Sequence, residues 1–188
     1  MSQKEDVSST IAKIIRDRSA SGRLINGLEL LTECRERGLL KSEDIDRTID
    51  FEVTAARALD ENTDLRRMCS RDRIPFYYSV QSLTETYAQI LLWKSEPPLW
   101  LIVQVVRDNS LRYQRPVSAD SFREQPFDLT QDEIAGCLKR MGAEREYQDI
   151  AQTTTALGTL FLYSTEYLDP DHASMLAEWL DGGQANNP

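Results

Sequence analysis

Few residues in this chain could do bond-breaking chemistry, and they are scattered. His172 is the only histidine, so a Ser/His/Asp or Cys/His nucleophilic system would have to use it as its base. It lies in "YLDPDHASM", beside Asp169 and Asp171, at the start of a predicted helix, where a solvated surface position is the simpler reading. No GxSxG occurs, and no glycine-rich phosphate loop or dinucleotide fingerprint. The three cysteines, Cys34, Cys69 and Cys137, are odd in number and lack CxxC spacing, which argues against zinc and for reduced thiols.

Carboxylates remain. "DLTQDE" brings Asp128, Asp132 and Glu133 close together, and "DPD" adds Asp169 and Asp171. Such groups could hold a hard cation or act as acid and base, yet neither stretch has calcium-loop spacing. Both fall at predicted helix N-termini, where capping and the helix dipole favour acids. The sequence therefore predicts no catalytic residue, no metal and no cofactor. A small carboxylate-dependent enzyme built on Asp128 and Asp132 is kept as an alternative.

Charge carries more information. Residues 1–75 hold 14 Lys/Arg against 15 Asp/Glu, and residues 76–188 hold 8 against 16, within a net charge of −9. No Lys or Arg follows Arg145, whereas Glu146, Asp149, Glu166, Asp169, Asp171, Glu178 and Asp181 all do. Affinity for nucleic acid comes largely from cations neutralising phosphates, so this half argues against nucleic acid and anionic membranes, and for a basic protein partner. One local exception is the basic patch Arg66, Arg67, Arg71 and Arg73, read as a phosphate or acidic-partner surface, as an exposed, salt-bridged stretch, or as a patch that docks on the acidic C-terminal part of the same chain or of a second copy.

Aromatics crowd residues 76–100. With the acidic half they define an expected partner surface of Tyr77, Tyr78, Trp93, Trp100, Tyr113, Glu146, Asp149 and Glu166, the aromatics serving equally well as core.

The elements that must position these residues follow from periodicity. Residues 4–38 read as helix, interrupted at "SASG" (19–22), with Gly38 as a stop, and a further helix runs from Ser42 to about Asp60. Residues 61–75 mark a boundary. Phe76–Val80 suits a strand and Ser82–Trp93 a helix. "LWLIVQVVR" (99–107) and "SLRYQRPV" (110–117), joined by "DN", read as a β-hairpin. A loop at 118–129 leads to a helix over 130–141, opened by Thr130 with Glu133 as a capping box. A helix over 144–157 and a strand over 159–164 would then complete a winged-helix order. The last helix starts at Asp169–Pro170, stops at Gly182 and Gly183, and turns Leu168, Met175, Leu176, Trp179 and Leu180 inward. No internal repeat is evident.

The expectation is an α+β protein: a helical region over 1–73 containing an N-terminal helical hairpin, a smaller α+β domain with a β-hairpin over 74–183, and a disordered tail over 184–188. Functionally it reads as a cytoplasmic, non-enzymatic protein-interaction module of regulator, chaperone or inhibitor type, with self-association as a homodimer. A winged-helix transcription regulator is the other alternative, disfavoured because Glu144, Glu146 and Asp149 would sit on its reading helix.

Overall fold

The computed structural model describes residues 2–39 and 48–185. The expected helix start near Ser42 and residues 186–188 of the expected tail lie outside the described residues, whereas residues 184 and 185 belong to the last helix and not to a disordered tail. Among those residues are seven α-helices and two three-stranded antiparallel sheets, an α+β fold. They form two compact units, residues 1–92 and 93–188.

The first unit opens with α1 (Ser2–Ala20), whose Ile11, Ile14 and Ile15 are fully buried at helical spacing. The break expected at "SASG" is a turn with Gly22 at φ 74, where a residue without Cβ is favoured. Strand β1 (Ile25–Asn26) follows, and Asn26 then caps α2 (Gly27–Glu36) in a capping box with Glu29. After α3 (Thr48–Glu61), β2 (Leu65–Cys69) and β3 (Pro75–Ser79) form a hairpin, and α4 (Glu85–Lys94) closes the unit. The core joins α1, Ile25, Leu30, Cys34, Phe51, Ala55, Ala58, Leu65 and Tyr77.

The second unit opens with α5 (Pro98–Arg112), which corrects the β-hairpin expected over 99–117. An apolar, β-branched run suits a helix buried on most sides as well as it suits a buried strand. Here Pro98 presets the first turn, and Leu101, Ile102, Val103, Val105 and Val106 are all buried. Strand β4 (Val117–Ser118) leads into a 3-10 turn (Ala119–Arg123), then α6 (Gln131–Ala143) with the expected Thr130–Glu133 capping box. Residues 144–157 are not a helix: a 3-10 turn (Arg145–Tyr147) precedes β5 (Ile150–Thr154), which pairs with β6 (Leu160–Ser164). Ile150 and the consecutive threonines favour extended backbone, and without a second helix the winged-helix order does not form. Helix α7 (Pro170–Ala185) passes through Gly182 and Gly183 instead of stopping there. The boundary between units lies after Leu92 rather than at 73/74, because that position falls inside the β2–β3 turn.

Each unit repeats one plan, although no internal repeat is evident in the sequence. Sheet orders are β1-β3-β2 and β4-β6-β5. Leu65 opposes Ser79 and Cys69 opposes Pro75, as Ile150 opposes Ser164 and Thr154 opposes Leu160. The turns match too: Ser70 N donates to Ile74 O at 2.9 Å, and Thr155 N to Thr159 O at 3.0 Å. The satellite cores are Tyr78, Leu83, Ala88 and Tyr163, Leu168, Ala173.

Phe122 and Leu162 are fully buried in one core. Phe122→Ala should therefore destabilise the second unit by about 3–5 kcal/mol. Hydrogen exchange on the full chain should show lost protection in α5, β4 and β6; unchanged protection there would refute this packing account.

Candidate functional site

The densest polar geometry in each unit joins its first helix to the end of its hairpin. In the second unit Arg107 and Ser110 lie one turn apart on α5. The Arg107 Nε and Nη2 donate to the Asp149 carboxylate at 2.9 and 2.6 Å, a bidentate fork, and Nη2 also donates to Glu146 O at 3.0 Å. Ser164 Oγ donates to Asp149 at 2.8 Å, while Ser164 N donates to Ser110 Oγ at 3.0 Å. The first unit builds the same lock. Arg16 Nε and Nη2 reach Asp64 at 2.9 and 2.6 Å, Ser79 Oγ donates to Asp64 at 2.7 Å, and Ser79 N donates to Ser19 Oγ at 2.8 Å.

A serine beside a carboxylate resembles a nucleophile beside its base, but the electrostatics here oppose that role. The Arg16 hydrogen bonds, helped by Ser79, hold the Asp64 carboxyl down at about 2, and Arg107 and Ser164 lower Asp149 in the same way. Carboxylates held below their ordinary range are poor general bases. Burial pushes the Cys34 thiol up to about 11 and raises Cys137 as well, so neither offers a thiolate. Among the described residues no group of three or more His, Cys, Asp or Glu could hold a metal ion. Asp128 pairs with Lys94 at 3.2 Å, and Glu133 is engaged with Thr130 in the cap.

The expected partner residues disperse. Tyr77 and Tyr78 are buried, with phenol pKa values raised by burial, so they belong to the core and not to a surface patch. Trp93 and Trp100 are half-buried. Tyr113 is exposed at the end of α5, with the Arg115 guanidinium 5.2 Å from its ring centre. Glu146 and Glu166 are exposed, while Asp149 is consumed by the lock. Of the basic patch, Arg66 donates to Thr63 O and Leu65 O, each at 2.8 Å. Arg67 lines a concavity of about 150 Å³ with Glu52, Asp60 and Tyr77, and Arg71 and Arg73 stand exposed on the β2–β3 turn.

The surface that stands out is one that helical periodicity predicts to face the core. Helix α7 lies against β5, burying Ala173 and Ala177, while Asp181 accepts from Thr155 and Thr159 hydroxyls. Met175 and Trp179, one turn apart, face outward with 60% and 72% of their surface exposed. Asp171 and Glu178 share that exposed side, and Glu178 accepts from Ala156 N at 2.8 Å. The signal was present: Ala173, Leu176, Ala177 and Leu180 already make a complete inward stripe, leaving Met175 and Trp179 off it. The locks also had a signature, "RDRS"/"RDNS" and "FYYS"/"FLYS".

The fold thus defines a two-unit α+β protein with satisfied internal polar clusters and one exposed acidic–aromatic helix. Residues 96–185, essentially the second unit, match the family described as the YdhW C-terminal domain. Over 181 residues the chain is 25% identical to the uncharacterized protein YdhW of Escherichia coli (strain K12), covering 95% of this chain and 80% of that protein. No solved structure matches.

Asp149→Ala should cost about 2–3 kcal/mol in urea unfolding, less than for a fully buried pair because Arg107 is 24% exposed. A loss below half a kcal/mol would show that the lock is dispensable. Since Asp64 is depressed below the unfolded value of about 3.9, its contribution is complete above about pH 4 and fades as pH falls toward 2. Asp64→Asn should flatten the acid limb of stability against pH; an unaltered limb would exclude Asp64 as its source.

Proposed function

We propose that the chain is a non-enzymatic protein-interaction module that docks a cationic protein surface on the outer face of α7. The observation that carries the reading is Trp179 and Met175 exposed together on a helix with no Lys or Arg of its own. A tryptophan left mostly in water forgoes on the order of 2 kcal/mol of burial, and aromatic anchors beside charges are typical of interface hot spots. Asp171 and Glu178 would steer a basic partner and reject an anionic one. The three unpaired cysteines, two of them buried, fit a reducing compartment such as the cytoplasm, and no described helix is long and apolar enough to cross a membrane.

Calorimetric titration of the full chain with an oligo-arginine peptide tests this directly. Binding should weaken with added salt, and Trp179→Ala should lower affinity about tenfold or more, the scale of a hot spot. No binding by the wild-type chain, or equal affinity in the variant, would refute the reading.

A further inference from the structure

The repeated plan isolates what the β2–β3 hairpin carries beyond the demands of its fold. Its strand register and turn hydrogen bonds match those of β5–β6, so positions correspond one to one. Where the second unit has Ala151, Gln152, Ala156 and Gly158, the first has Arg66, Arg67, Arg71 and Arg73. The shared backbone forms without any of these cations. Arg73 is set at φ 62, where the second unit has Gly158 at φ 89. That left-handed conformation disfavours an L side chain, and retained strain of this kind collects at functional positions.

We infer that the cationic β2–β3 hairpin of one molecule docks on the outer face of α7 of a second copy of this chain. The inference rests on the α7 reading above and names its partner. Complementarity of two kinds supports it. Arg71 and Arg73 on the hairpin turn, offset locally by Asp72, meet Asp171 and Glu178, and the exposed Trp179 ring offers the best aromatic face for a guanidinium. Nucleic acid is the poorer occupant for the hairpin, since so few arginines contribute little counterion release. The two surfaces lie on different units, so the contact is heterologous and each molecule keeps one surface of each kind.

Sedimentation of the full chain over a concentration series, at low and high salt, is the test. The wild type should gain mass with concentration and lose it with salt. Arg71→Glu combined with Arg73→Glu, and separately Trp179→Ala, should each weaken association about tenfold or more. An equimolar mixture of those two variants should recover a 1:1 complex, because one supplies an intact α7 and the other an intact hairpin. Arg73→Gly should weaken association while leaving the thermal midpoint unchanged or higher, which separates lost contact from lost folding. A wild type that stays monomeric throughout, a mixture no heavier than its components, or an Arg71/Arg73 variant that associates like wild type would overturn the inference. If oligo-arginine still binds at Trp179 while the chain stays monomeric, only the second copy fails as partner; if the peptide does not bind either, the α7 reading fails with it.

Discussion

The bidentate arginine–aspartate pair that ties each first helix to its hairpin is the constraint on which the rest of each unit depends. Arg16 reaches Asp64 and Arg107 reaches Asp149 with matching distances. The aspartate also takes a hydroxyl from the serine that ends the hairpin, and that serine's backbone N–H is received by a second serine on the helix. The two aspartates are mostly removed from water while their arginines stay partly exposed, so removing an arginine leaves a poorly solvated carboxylate without its partner. It fixes where the hairpin stops, and Val80 N and Thr165 N then bond Asp64 O and Asp149 O at 2.8 and 2.7 Å. From that fixed end the closing helix starts, with Leu83 and Leu168 seated in the satellite cores.

Two units with one internal frame have diverged on the outside. The frame keeps apolar residues on the opening helix, an antiparallel sheet with the third strand in the middle, and a tyrosine–leucine–alanine contact under the closing helix. The hairpin surface does not follow suit: one copy is rich in arginine, the other neutral and braced by Glu178 and Asp181. Core positions are held by packing and burial, whereas exposed positions are free to change sign at little cost to stability. Charge that survives on such positions reports on what the molecule meets rather than on how it folds.

Much was legible in the sequence wherever a local rule sufficed. The Thr130–Glu133 capping box, the Asp169 cap, the strand at Phe76–Val80, the strand at 159–164 and the turn at Gly22 all follow from contacts within a few residues. The acidic bias after Arg145 is likewise a property of composition alone. These features fix the α+β class and the sign of the C-terminal surface.

Only the tertiary structure decided the rest, because the deciding contacts are distant in sequence. Residues 99–107 are a helix because the neighbouring elements cover it on most sides, and a continuous apolar run does not reveal whether its burial is helical or extended. Tyr77 and Tyr78 lie inside because β3 is the central strand of its sheet, while Trp179 lies outside because two small alanines already seat α7 on the hairpin. The repeat itself was hidden: its shared residues are short fragments separated by loops of different length, and they converge only when helix and hairpin are brought together. Sequence periodicity records which residues prefer to be buried; the packing of whole elements determines which of them can be.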